Sequence, residues 1–312
     1  MSEQKMTPAV ETAAEAAVEA TEVKKAKASN LNTEKWKETL MACLKNFNFM
    51  LGFCMLASVC ILAIFSEQIA PYDYMAQGVG ARFTPPCTQF LFGTDELGRD
   101  VLSRVIWGTR ITLWVAFLGA TLQLVIGVTV GLLCGYFGGW IDRFFSFLTD
   151  LTWCIPSTIL ALAVVTLIGK GLTNTVISIA LVAWASYARP VRAKTMSLKS
   201  MAFVETGKAF GESSFALMFR YILPNVIPSL IVMVSTTLPS TILSTTTLSF
   251  LGLGSQAPSP DWGLALSNGI TYIGTAPWLS IFPGIALLYT VLGFSFLGEG
   301  VRDILDPHMK SQ

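Results

Sequence analysis

The sequence predicts an all-α integral membrane protein with six transmembrane helices and both termini cytoplasmic. Three observations carry this. The mean hydropathy is +0.59, and 13% of the 312 residues are charged, against roughly 25% in soluble domains. Apolar runs long enough to cross a hydrocarbon core alternate with polar segments. Lys and Arg gather in the polar segments that such an arrangement places in the cytoplasm.

The same composition narrows the function classes. A net charge of +1, with basic residues beside apolar runs, gives no nucleic-acid-binding face. The six cysteines form no CxxC pair and no metal spacing. His308 is the only histidine, so a His-based metal site or catalytic triad is not expected.

Residues 1–44 read as a polar cytoplasmic tail, with Lys35, Lys37 and Lys45 before the first span. No apolar run begins near the start, so this is not a secretory signal. The membrane domain covers 45–307, and 308–312 form a short tail. The first span, 47–65, measures roughly 28 Å as a helix. A polar outer segment, 66–110, begins as a loop containing Pro71, Pro85 and Pro86. Thr94 followed by Asp95, Glu96 and Leu97 has the composition of a helix start. Val101, Leu102, Val105 and Ile106 then form an apolar stripe, predicting a helix on the membrane surface. Arg99, Arg104 and Arg110 oppose the charge rule here, and Asp95, Glu96 and Asp100 are available to pair with them.

The second span is 111–134, with Gly119, Gly127 and Gly131 spaced for close helix packing. The third is 151–168, with Pro156 near its entry and Asp150 just before it. A membrane carboxylate is a functional candidate, but pairing or capping near an interface also accounts for Asp150. The fourth span, 174–188, ends at Arg189. The fifth, 226–250, is crowded with hydroxyls. Thr237, Thr241 and Thr245 form one row along it, and Ser240 and Ser244 an adjoining one. Such a face either lines a wet passage or binds helices together. Trp262 and Trp278 are expected as interface anchors, with a short helix over 263–276. The sixth span is 279–297.

The polar island from Arg189 to Pro224 is too long for a turn and is basic, hence cytoplasmic. Its interior predicts an amphipathic helix over 200–210, ended by Gly211, then a second helical run over 215–223. Glu205-Thr206-Gly207, then Gly211, then Leu223-Pro224 resembles the EAA loop of ABC importer permeases. In that family the loop forms a coupling helix that docks in a groove of a cytoplasmic ATPase. The resemblance assigns ATPase coupling to Ala202, Glu205, Thr206, Gly207, Ala209, Phe210, Gly211 and Ser213. Thr206 and Gly207 depart from the usual Ala-Ala, and Gly207 should weaken the helix by about 1 kcal/mol relative to Ala.

A second stretch is more specific. GTDELGRDVLSR, residues 93–104, resembles the signature of the C-type permease subunit of dipeptide, oligopeptide and nickel ABC importers. It contributes Thr94, Asp95, Gly98, Arg99 and Asp100. GYFGGWID, SYARPVRA, LSFLGLG and GEGVRDILDP extend the match over about 47–307. The resemblance implies a type I importer-like permease, not itself an enzyme, in the bacterial inner membrane. Its partners would be a second related permease, two ATPases, an extracytoplasmic solute-binding protein and membrane lipid. It binds no cofactor itself; the ATPases use ATP and magnesium. The chain has no GxxxxGK[ST] phosphate loop, so the energy source is another subunit. The outer-loop signature is expected to face the solute-binding protein or the mouth of the passage. Similar proteins often carry Glu at the place of Thr245. Short peptides are the expected substrate, with nickel or a metal chelate as the alternative. An ion-coupled secondary transporter is a further alternative. It would need buried charges or broken helices near the midplane, and beyond Asp150 and Pro239 the spans offer few.

Overall fold

The computed structural model describes residues 41–305, all-helical apart from one isolated bridge. The expectations for residues 1–40 and for His308 lie outside the described residues. Helix α1 spans Phe47–Ile64, capped by Asn46, whose side chain accepts from the Phe49 N–H. A single turn, α2, covers Ser66–Ile69. An irregular segment follows, to Asp100.

Helix α3 runs from Val101 to Phe137 without a break, 37 residues or roughly 55 Å. The surface helix and the second span expected from the sequence are therefore one rod. The physical reason lies at its first turns. Asp100 rather than Thr94 is the N-cap, its Oδ2 accepting from the Ser103 N–H and Oγ at 2.8 and 2.6 Å. Val101, Arg104, Val105 and Ile106 are buried by protein and do not lie on lipid.

The expected third span is two helices. Helix α4, Gly139–Cys154, meets α5, Ser157–Ile168, at a bend of 102°. Pro156 has no N–H and pushes its predecessor out of the helical region; Ile155 is extended, at φ −110° and ψ 134°. Asp150 therefore sits near the end of α4. Helices α6, Leu172–Ala183, and α7, Ala185–Lys199, are separated only by Trp184, whose backbone stays right-handed helical. The polar island thus begins as helix: Arg189, Arg192, Lys194 and Lys199 all lie on α7.

Helix α8, Ala202–Ala209, is the expected short helix. Gly211 ends it at φ +82°, a conformation glycine adopts without strain. One turn at Ser214–Ala216 leads into a π-helical stretch, Leu217–Ile222. The π register fits its C-terminal neighbour: Pro224 offers no N–H, and the Leu223 N–H reaches back to Met218 O. Helix α9 then runs Leu223–Phe250, α10 Trp262–Ile270 and α11 Trp278–Leu305. Four stretches, 47–64, 101–137, 214–250 and 278–305, are long and apolar enough to span a membrane, and the bent α4–α5 pair makes a fifth.

α3 and α7 pack along a glycine stripe. A Cβ on Gly127 would lie 2.6 Å from Trp184 O, and one on Gly131 2.7 Å from Ala188 O. Removing both side chains lets the backbones touch, the main source of packing energy where lipid already solvates apolar side chains.

Candidate functional sites: the elbow, the hydroxyl helix and the opposite-end knot

The elbow comprises α8 and the π-helical stretch. Only Val204 and Gly207 of α8 are buried. Val204 joins a core cluster with Leu217, Met218 and Ile222 of the π stretch, Leu132 and Tyr136 of α3, Val191 and Leu198 of α7, and Val226 and Leu230 of α9. Lys199 Nζ donates to Tyr136 O at 2.5 Å. The elbow is thus seated on the ends of three long helices. Ala202, Glu205, Thr206, Ala209, Phe210, Gly211 and Ser213 all remain exposed. Gly207 alone among the predicted coupling residues is turned inward. A Cβ there would lie 2.9 Å from Leu217 Cδ2, so the glycine lets that side chain sit close against the helix. Phe210 is 85% exposed, and Phe203, Phe215 and Phe219 are exposed beside it. Of these four aromatic side chains only Phe210 is among the predicted coupling residues. The signal for the others was an aromatic at every exposed turn of a polar island.

Two ion pairs brace α4 against α7 near this end. Arg192 grips Asp142 through two nitrogens, Nη2 to Oδ2 at 2.7 Å. Arg189 pairs with Asp150 and lies 4.3 Å from the Trp153 ring centroid. Both partners of the second pair are exposed, so it contributes little to stability. Asp150 is a pairing residue in this geometry.

The hydroxyl rows of α9 face different surroundings. Thr237 hydrogen-bonds the Tyr187 hydroxyl. Thr241 accepts from Gln123 Nε2 at 3.4 Å and is buried. Thr245 is buried and donates to Ile242 O at 2.8 Å. That row meets α3 and α7. Ser240 and Ser244 instead line a cavity beside the α4–α5 bend.

At the opposite end of α3, the 93–104 stretch folds into a buried knot. Asp95 Oδ1 accepts from the backbone N–H groups of Leu97 and Arg99, both at 2.9 Å, while Oδ2 takes Arg99 Nε at 2.6 Å. Arg99 Nη2 reaches Glu96 at 3.1 Å. The Thr94 hydroxyl donates to Ala81 O at 2.6 Å, and its carbonyl accepts from Trp278 Nε1 at 3.1 Å. Gly98 turns the chain at φ +68°, with Gly80 O where a Cβ would be, 2.4 Å away. Arg104 donates to the carbonyls of Tyr74, Pro258 and Ser259. Burial, with Arg99 nearby, costs its charge; those carbonyls and Asp95 compensate it. Thr94, Asp95, Arg99 and Asp100 are each no more than 5% exposed. Their side chains hold the segment together. Trp262 is not the interface anchor expected. Trp262 is buried and donates to Val105 O at 3.0 Å, and Trp278 bonds Thr94; both fasten the knot to α10 and α11. Asp261 caps α10, accepting from the Leu264 N–H at 2.9 Å. Burial pushes its carboxyl above the usual range, against the opposing pull of the Leu264 and Ser255 hydrogen bonds.

Residues 127–311 match the family model for the binding-protein-dependent transport system inner membrane component. Residues 35–86 match the N-terminal TM domain of oligopeptide transport permease C. The dipeptide transport system permease protein DppC of Alkalihalophilus pseudofirmus is 38% identical over 88% of this chain and 91% of its own length. The oligopeptide transport system permease protein OppC of Bacillus subtilis is 32% identical over 91% and 93%. A glutathione transport system permease protein, GsiD of Pectobacterium atrosepticum, is 38% identical over 79% of each. In fold, the chain is similar to a chain of an inward-facing MetNI methionine ABC transporter, with a TM-score of 0.52 and 21% identity over 65% of this chain and 97% of that one. Matches to the family model over more than half the chain, and to relatives over most of it, show that this chain belongs to the binding-protein-dependent transport system inner membrane components, among the permeases of dipeptide and oligopeptide ABC importers.

Proposed function

We propose that this chain is one of two related permease subunits of an ATP-driven importer of short peptides. Six membrane crossings place both termini and the elbow in the cytoplasm, with α6–α7 completing the set beside the four long helices and the bent pair. The elbow docks on a partner ATPase that uses ATP and magnesium. A solute-binding protein delivers peptide on the opposite side. The single observation carrying this reading is the elbow's division of labour. One face is sunk into the cluster joining α3, α7 and α9, and the other is exposed with Glu205 and Phe210. A push on the exposed face is a push on three long helices at once. ATP-driven closure of the ATPases then biases the bundle between outward and inward openings, provided they bind the two states with different affinity. Relatives named for dipeptides, oligopeptides and glutathione, itself a short peptide, support the substrate class over nickel.

The test is reconstitution with the permease, ATPases and solute-binding protein encoded beside it. Peptide should stimulate ATP hydrolysis and accumulate in the vesicles. Glu205→Lys and Gly211→Val should each abolish uptake while the chain stays membrane-inserted. Normal uptake with stable ATPase association in both variants would refute the docking role. Uptake driven by a proton or sodium gradient without ATP would refute the importer reading itself.

A further inference from the structure

The bend between α4 and α5 opens a cavity of about 180 Å³ against α6, α7 and α9. Six hydroxyls line it: Thr152, Ser157, Thr158, Ser186, Ser240 and Ser244. No ionisable side chain contributes to the wall. Thr152 and Ser240 donate to carbonyls of their own helices, Thr149 O at 2.8 Å and Thr237 O at 2.7 Å, and keep free lone pairs. Ser157, Thr158, Ser186 and Ser244 make no side-chain hydrogen bond among the described residues.

The contrast with hydroxyls elsewhere in the spans is informative. Thr121, Thr129 and Thr166 each fold back onto the carbonyl four residues earlier. That is how a hydroxyl is satisfied when its surroundings offer no partner. Ser157 and Thr158 open α5 and have no such carbonyl within it, whereas Ser186 and Ser244 have one and leave it; all four are exposed or half-buried toward the cavity. Hydroxyls open to the cavity are met there by water, and a polar ligand that displaces that water has to reproduce its hydrogen bonds.

We propose that this cavity is a subsite of the passage that holds the amide backbone of a short peptide. A hydroxyl both donates and accepts, so one wall can pair with a peptide N–H and with a carbonyl. It does so without reading side chains. The absence of charge from the lining fits the neutral peptide link better than a metal ion, with the charged ends of a short peptide lying outside this wall. Half of the wall comes from the broken α4–α5 pair, so a change in the bend rearranges the hydroxyls and releases the peptide. This assignment rests on the importer reading above.

The test uses the complete importer in proteoliposomes with labelled dialanine and its ester isostere, in which oxygen replaces the peptide N–H. One variant combines Ser157→Ala, Thr158→Val, Ser186→Ala and Ser244→Ala. Loss of two hydrogen bonds predicts that dialanine kcat falls about tenfold, while KM, governed by the solute-binding protein, stays unchanged. The ester, already lacking the donor, should lose markedly less. Restoring Ser244 and Ser157 should recover most of the dialanine rate. Equal losses for amide and ester, or no loss for either, would overturn the subsite. So would release of the second permease from the purified variant, because the hydroxyls would then be helix glue. Failure of the unsubstituted importer to take up dialanine with ATP would instead overturn the importer reading, and the subsite with it.

Discussion

Replacing Leu217 with alanine loosens the elbow from its base without touching its exposed face. Leu217 is 1% exposed and packs among Val204, Met218 and Ile222. The substitution removes three buried carbons, roughly 2.4 kcal/mol at ~0.8 kcal/mol each. The residual cavity raises this to about 3 kcal/mol, because Gly207 offers no side chain to fill it. A penalty of that size shifts an equilibrium between seated and released elbow by roughly two orders of magnitude. Met is close to Leu in volume, so Leu217→Met should cost under about 1.5 kcal/mol. The assay is the ratio of peptide imported to ATP hydrolysed in proteoliposomes. Leu217→Ala should keep the ATPases bound and hydrolysing but lower the ratio severalfold; Leu217→Met should leave it near the unsubstituted value. A Leu217→Ala importer with an unchanged ratio would show that force does not enter through this cluster.

Asp95→Asn leaves Arg99 buried beside a neutral amide, a loss of about 3–5 kcal/mol, visible as a lower thermal midpoint in detergent. Gly131→Val drives side-chain carbon into Ala188 O and should abolish monodisperse folded protein on size exclusion, whereas Gly138→Ala, with open space around it, should cost no more than its positive φ. Asp261 carries a raised carboxyl value, so its ionised form costs stability. Unfolding stability should therefore fall as pH rises from the ordinary carboxylate range through the raised value, then level off. Asp261→Asn keeps an acceptor for Leu264 and should flatten that slope, while Asp261→Ala should flatten it and lose about 1 kcal/mol from the cap; melting curves between acid and neutral pH check all three.

Much of this fold is legible in local pattern. α1 and α9 fall close to the expected spans because uninterrupted apolar runs leave few alternatives, while α11 starts where expected and continues eight residues further, to Leu305. α8 falls within the expected 200–210, since Gly211 is a local stop. The continuity of α3 was not legible. Arg104 and Arg110 read as surface charges, and what buries Arg104 is a set of carbonyls up to 155 residues away. Trp262 was misread for the same reason: its N–H partner is a remote backbone oxygen, which composition does not reveal. Gly207 stood out as an anomaly in the coupling pattern, but its neighbour, the Leu217 side chain, is visible only in three dimensions. The two hydroxyl rows of α9 were visible as rows. Which one meets α3 and α7 and which borders a cavity depends on the 102° bend between α4 and α5, and Pro156 marks that bend without fixing its direction.

The unbroken length of α3 has a mechanical corollary. Its first turn is knotted to Tyr74, Pro258 and Trp262, and its last is clamped by Tyr136 into the elbow's base. A stiff rod of roughly 55 Å acts as a lever: tilting it about 5° at one end sweeps the other through roughly 5 Å. Events at the two faces of the bilayer are in this way tied to a common member, so a small tilt at one face becomes a displacement of several ångströms at the other.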